Sequence, residues 1–404
     1  METDAAAEPI TAAGETRPAA RSAWRPPLLR AFDQGERHAS WLELFFDLCF
    51  VAAVAALADD LHHDPTLGGL LRFGGLFVPV WWAWMAYTWH ATAFDTDDIA
   101  YRIAFLGAML GVVALAAGVP GVHEGDPTVF VVSYGALQLL LAGLYLRASR
   151  YQTVARGFAL RYGLGDALGG AVWLASLLVP APARLVVWGL AMLVLLVTPV
   201  VAVRSMAEQG YDTGHITERY GLFTLIVLGE SVVAVSAGTS ATGWNPAAVL
   251  AAAGGFGIAA CVWWVYFGSV TSAALRRDRL AAAFVWGYGH LFVFAGVAAA
   301  AVGVELAIER GAAGAVLGAA ERLMLGAGTV SFLLAIAAIQ AVTVRRWDGV
   351  VTARLGAAVA SAAICAVGAE LAPPLLVVLV LAALLVFAAL ESRRAGPEQP
   401  ARPD

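Results

Sequence analysis

Two carboxylates stand four residues apart in an otherwise apolar stretch, Trp41-Leu-Glu43-Leu-Phe-Phe-Asp47-Leu-Cys-Phe-Val51. That spacing puts both on one face of a helix. An acid at the middle of a bilayer costs about 2.5–3.5 kcal/mol on insertion scales, so it is expected to face protein or water and to form a proton or cation site. The plainer alternative is an Asp that bonds to a neighbouring helix and only fixes packing. A second stretch, Tyr220-Gly-Leu-Phe-Thr-Leu-Ile-Val-Leu-Gly229-Glu230-Ser231, places Glu230 about halfway along another apolar run, with Ser231 beside it. Two close carboxylates in a medium of low dielectric cannot both ionise cheaply, so a meeting of Asp47 with Glu230 would hold a proton or share a cation. Glu43, Asp47, Glu230 and Ser231 are therefore the leading candidates for a proton, ion or substrate site. A structural Glu230 paired with an Arg or a helix end is the competing account.

Secondary polar candidates are Asp95, Asp97, Asp98 and Arg102, with His290. The three acids suit a helix N-terminus, where Arg102 can pair at i,i+4 with Asp98. The alternative is Mg²⁺ held against a phosphorylated lipid. The run Asp59-Asp60-Leu-His62-His63-Asp64 gathers five potential ligands, but clustering alone sets no metal geometry and the run reads as a solvated helix end. No metal and no cofactor is expected. The dense aromatic run Trp81, Trp82, Trp84, Tyr87 and Trp89 reads mainly as packing. Cys49, Cys261 and Cys365 read as small side chains buried in the membrane, without disulfide or metal spacing. HExxH, GxSxG and P-loop patterns do not occur, so an enzyme is the less favoured class, and nothing suggests nucleic acid.

The elements that must position these residues follow from composition. Of 404 residues 60% are hydrophobic and 14% charged, and the mean hydropathy is +0.75. A soluble fold cannot hide so much apolar surface. The expected fold is all-α, a polytopic transmembrane bundle of about twelve spans, starting near residues 41, 70, 100, 128, 162, 184, 219, 247, 282, 319, 350 and 373. The expected partner is the lipid bilayer, with protons, ions or a small solute as cargo.

Positive charge tests that map, because cytoplasmic loops collect Arg. With both termini cytoplasmic, all but Arg72, Arg184, Arg310 and Arg322 of the 25 basic residues fall on the inner side, Arg204, Arg219, Arg276, Arg277, Arg279 and Arg354 among them. A weak internal repeat points the same way. Asp47 and then Trp81-Trp82 are echoed by Glu230 and then Trp263-Trp264, and acidic loops follow at Asp95 and Asp278. Six spans per half give two halves of like orientation. The expected organisation is a disordered cytoplasmic tail over 1–38, a first repeat over 39–210, a second over 211–391 and a disordered tail over 392–404. No cleaved signal peptide is read in the first segment.

The segment Glu43–Val51, the later Phe94-Asp-Thr-Asp-Asp98 followed by Arg102, and the stretch Tyr220–Val233 resemble the low temperature requirement A family of bacterial membrane proteins. The resemblance covers about residues 38 to 390, and Cys49 departs from it where an aliphatic residue is expected. It implies a multi-span protein of the bacterial inner membrane, named for growth in the cold, and no particular reaction. The leading expectation is a secondary transporter or an ion- or proton-conducting protein working through intramembrane carboxylates. The alternatives are a membrane enzyme acting on a lipid or lipid-linked substrate, and a non-catalytic scaffold or sensor.

Overall fold

Several of the apolar runs become helices where a polar side chain closes the first turn. Ser40 and Glu43 form a reciprocal capping box at the start of α1 (Trp41–His63), and the Thr66 hydroxyl caps α2 (Leu67–Ala93). The computed structural model describes residues 26–29, 38–203, 212–270, 275 and 280–394. After α2 come α3 (Ile99–Ala117), the short α4 (Val119–Glu124), α5 (Thr128–Tyr151), α6 (Arg156–Ala175) and α7 (Ala183–Val203). The second part holds α8 (Thr213–Ala241), α9 (Pro246–Phe267), α10 (Leu280–Ala312), α11 (Ala319–Val344), α12 (Gly349–Val367) and α13 (Pro373–Arg394). Two residues of the expected N-terminal tail, β1 (Leu28–Leu29), pair antiparallel with β2 (Phe94–Asp95). Apart from residues 26–29, His38 and the last turn of α13, both expected tails lie outside the described residues.

Among the described residues ten helices are long and apolar enough to cross a membrane, namely α1, α3, α5 and α7 to α13. The chain is thus a multi-pass, all-α membrane protein. The remaining two long helices miss on composition. α2 carries Arg72 and His90 among its aromatics, and α6 carries Arg156, Arg161 and Asp166.

Three departures from expectation matter for the site. α8 begins at Thr213, six residues before the expected start near 219, because the Asp212 side chain accepts the His215 backbone N–H at 3.0 Å and nucleates the helix there. Arg219 therefore lies inside a helix and is fully buried, not in an inner loop. Arg354 is likewise buried in α12, where its Nη1 donates to the Ile336 carbonyl at 3.1 Å. Arg204, Arg276, Arg277 and Arg279, counted for the topology, and Asp278, counted for the repeat, lie outside the described residues. The aromatic pairs of the repeat also sit in unlike surroundings. Trp81 and Trp82 are buried against Tyr288, whereas Trp263 and Trp264 are exposed.

α1, α8 and α10 run side by side in the same direction. Glu43 and Asp47 of α1 meet His215 and Arg219 of α8 in ascending order, and Tyr220 and Gly238 of α8 meet Trp286 and Glu305 of α10 in ascending order. α11 packs against α10 through glycines. A Cβ on Gly328 would stand 2.6 Å from the Gly296 carbonyl oxygen and 2.9 Å from the Ala300 Cα, backbone atoms that have little room to yield. Close helix approach through small residues is how bilayer helices gain packing contact. Gly328→Ala is accordingly expected to destabilise the protein by about 1–3 kcal/mol, read as a lower melting midpoint in detergent. An unchanged midpoint would mean that the two helices are not so closely packed.

Candidate functional site

The geometry gathers the first-helix acids around an arginine. Arg219 donates from Nε to Asp47 Oδ2 at 2.9 Å and from Nη2 to Asp47 Oδ1 at 2.5 Å, a two-pronged pair. Its Nη2 also reaches Thr88 Oγ1 at 3.3 Å, and its Nη1 stands 3.3 Å from Glu43 Oε1. Trp84 of α2 donates its indole N–H to Asp47 Oδ1 at 2.7 Å. His215 closes the cluster, with Nε2 at 3.4 Å from Glu43 Oε1 and Nδ1 at 2.8 Å from Thr92 Oγ1. The second oxygen of Glu43 accepts the Ser40 N–H at 2.7 Å, so the same side chain caps α1 and faces the cluster. None of Glu43, Asp47, His215 and Arg219 is more than 1% exposed.

The elements explain the convergence. The i,i+4 spacings of Glu43 with Asp47 and of His215 with Arg219 present two polar groups per helix on one face, and two parallel helices in register bring the faces together. Thr88, Thr92 and Trp84, spaced by fours along α2, supply the third wall. Further titratable groups nearby are Tyr101 of α3, and Asp212 and Glu218 at the start of α8. Glu218 faces outward from the cluster, accepting from the Ala39 N–H at 3.2 Å and facing His38 at 3.6 Å.

Glu230 does not join this group. The Asp47–Arg219 pairing joins residues 172 apart in sequence, and that offset sets Glu230 beside position 58 of α1. Eleven residues of helix, about 16 Å, separate it from Arg219. Between the two levels lies a buried aromatic plug. Phe223 packs at a tilt on Trp84 at 4.2 Å and edge-to-face on Phe294 at 4.8 Å, with Phe50 at 6.3 Å. Ser231 turns its hydroxyl back to the Val227 carbonyl at 3.2 Å and lines a cavity of about 20 Å³ with Gly255, Val297 and Val304, room for about one water.

The secondary candidates disperse. Asp98 caps α3 by accepting the Tyr101 N–H at 2.8 Å and is bound by Arg147 of α5, Nη2 to Oδ2 at 2.5 Å. Arg102 pairs with the exposed Asp97 at 2.6 Å, not with Asp98 at i,i+4 as expected. The reason is that the capping carboxylate of Asp98 points into the protein, toward Arg147. Asp95 belongs to β2. His290 is fully buried, with Nδ1 at 2.6 Å from the Trp286 carbonyl and Nε2 at 3.0 Å from the Tyr266 hydroxyl. It packs on Tyr220, the residue after Arg219, at 4.7 Å.

At the far end of α1 the acidic-histidine run divides among several partners. Arg72 bonds Asp60 at 2.9 Å and Asp64 at 3.0 Å, and His63 folds back on Asp59 at 3.3 Å. The Thr66 hydroxyl, and then Arg72, hold the Asp64 carboxyl below the usual carboxylate range. The stabilisation from that turn is therefore present above the ordinary carboxylate pKa and is lost as pH falls through the lowered one. His62 turns toward Glu309 of α10.

Arg219 and His215 are the members of the buried cluster that sequence reasoning missed. A signal for Arg219 is present in the sequence: a buried carboxylate requires a partner, and an arginine stands at the head of the stretch that carries Glu230. His215 carries no comparable signal.

Residues 38–387 match the family model described as "Bacterial low temperature requirement A protein (LtrA)". The chain is also 26% identical over 294 residues to an uncharacterized protein of Rhizobium meliloti (strain 1021), an alignment covering 69% of this chain and 72% of the relative.

Proposed function

We propose that this chain, which belongs to the bacterial low temperature requirement A family, is a proton- or ion-conducting protein or secondary transporter of the cytoplasmic membrane, with the buried cluster as its switch. The observation that carries this reading is a charge count. Glu43, Asp47 and Arg219, each at most 1% exposed, sum to a net charge of −1, and the His215 imidazole stands 3.4 Å from Glu43. One proton, on Glu43 or on His215, brings the sum to zero. An uncompensated charge at such burial is expensive, so the closed site favours the neutral count and an opened, wetted site can release the proton.

The plug of Phe50, Trp84, Phe223 and Phe294 supports an occluded state, closed between the cluster and Glu230. The parallel course of α1 and α8 supports two halves of like orientation, 39–210 and 211–391. Parallel helices need an odd number of crossings between them, and α2, α3, α5, α6 and α7 supply five long helices. Counting α2 and α6 as spans gives twelve with both ends on one side, and the arginine distribution, less the buried Arg219 and Arg354, favours the cytoplasm for that side. The pairing of Asp97 with Arg102 and of Asp98 with Arg147 favours a structural role for these two acids over a shared metal.

The test is flux. Protein reconstituted in liposomes with an internal pH dye is expected to dissipate an imposed proton gradient, alone or with an ion from a panel of Na⁺, K⁺ and Cl⁻, and Asp47→Asn to fall to the protein-free level. Wild-type liposomes that hold every gradient, or an Asp47→Asn variant as fast as wild type, would overturn the reading. A scaffold role would then gain support from a variant that restores growth.

A further inference from the structure

We infer that His62, Glu305 and Glu309 form a binding site for a first-row divalent transition-metal ion, at the end of α1 and α10 remote from the buried cluster. One ligand atom from each of the three lies within 4.8 Å of the others, and His62 Nε2 is already 3.3 Å from Glu309 Oε1. Metal bonds of about 2.0–2.2 Å would draw the three atoms to within about 3.5 Å of each other, a change within side-chain rotation. The two glutamates are spaced i,i+4 on one face of α10, and the imidazole arrives from a different helix, so the set converges from two rigid elements.

Three observations separate this group from an ordinary acidic helix end. The buried His62 Nε2 stands 3.3 Å from Glu309 Oε1 without hydrogen-bond geometry to it or to any other described group, as a nitrogen free to take a metal would. Apart from His62 itself, the charges that reach the half-buried Glu305 are all negative, those of Glu309, Glu230 and Asp59. The neighbouring arginines are engaged elsewhere, Arg72 by Asp60 and Asp64, and Arg310 by Glu321 at 2.6 Å. A divalent ion would balance the two glutamates, which one imidazole cannot do. The mixed donor set selects the metal class. A nitrogen with two carboxylates suits Zn²⁺ or Mn²⁺, whereas Mg²⁺ and Ca²⁺ take oxygen ligands. Partial exposure of His62 and Glu309 leaves the site open to water at that membrane face. It lies fifteen residues along α1 from Asp47, about 22 Å, and does not rest on the transport reading.

The experiment is metal binding by the full chain in detergent. Metal-stripped protein is dialysed against Zn²⁺, Mn²⁺, Mg²⁺ or Ca²⁺ singly, and bound metal is measured per chain alongside the shift in melting midpoint. One Zn²⁺ or Mn²⁺ per wild-type chain is expected, with a raised midpoint. Glu305→Gln and Glu309→Gln should each weaken binding by at least about tenfold, as should His62→Ala, since even outer-shell changes cost 10–100-fold. Asp97→Asn, an exposed ion-pair change elsewhere, should bind as wild type does. Each variant is compared only where its metal-free midpoint and elution match wild type, and His62→Gln replaces His62→Ala if the latter fails that check. Binding that the three site variants leave unchanged, the lack of any Zn²⁺ or Mn²⁺ binding, or equal affinity for Mg²⁺ and Ca²⁺ would overturn the site.

Discussion

Arg219→Met is expected to lose most of the folded protein, with a destabilisation of about 3–5 kcal/mol, the range for removing one partner of a buried ion pair. The side chain volume is nearly kept, so the effect comes from charge and hydrogen bonding. Without the guanidinium, Asp47 keeps the Trp84 indole N–H, and Glu43 keeps the Ser40 N–H and the His215 ring, but neither keeps its cation. The cluster loses its one permanent positive charge at positions closed to water. Arg219→Lys should fall between the two, because an ammonium supplies the charge but cannot bond both oxygens of Asp47, face Glu43 and reach Thr88 at once. Asp47→Asn added to Arg219→Met should recover part of the loss, giving a coupling of about 1–3 kcal/mol in a double-mutant cycle. Melting in detergent with size-exclusion recovery measures wild type, the three single variants Arg219→Met, Arg219→Lys and Asp47→Asn, and the double variant. Arg219→Met melting at the wild-type temperature would show that the three charges are not buried together.

The sequence makes the first-helix half of this cluster legible and hides the other half, for reasons that lie in particular residues. Glu43 and Asp47 announce themselves because carboxylates are rare in apolar runs, and their shared face follows from four-residue spacing. The second partner is misplaced by two errors of register. Hydropathy starts a helix where polar residues stop, but the chain starts α8 at the Asp212 cap, so Thr213 to Tyr220 is helix despite its polarity. The internal repeat then aligns Asp47 with Glu230, while the packed offset is 172 residues and selects Arg219. Eleven residues is close to three full turns, so Glu230 keeps roughly the azimuth of Arg219 and differs in depth. Local pattern gives azimuth, and only the packing of α1 on α8 gives depth. Most helices are legible from apolar runs alone, since caps and prolines such as Pro373 cut them where composition changes.

Glu43→Gln should do the opposite of Arg219→Met to stability and should abolish any pH dependence of flux. The amide oxygen of Gln can still accept the Ser40 N–H, since capping boxes accept Gln as well as Glu at this position. What remains is Asp47 with Arg219, a neutral pair that needs no added proton. The variant should therefore fold and melt at or above the wild-type midpoint, as replacement of a buried charge by a neutral isostere often allows. In wild-type liposomes a single-proton switch changes flux by at most about tenfold per pH unit. With Glu43→Gln the same series from about pH 5.5 to about pH 8.5 should be flat, because the excess negative charge that a bound proton would offset is gone. His215→Gln separates the two possible carriers of that proton, as it leaves the pH response in place if Glu43 alone holds it and removes it if the imidazole does. A Glu43→Gln protein with wild-type pH response would mean that the conducted or coupled proton does not pass through this cluster, whatever its part in holding α1 against α8.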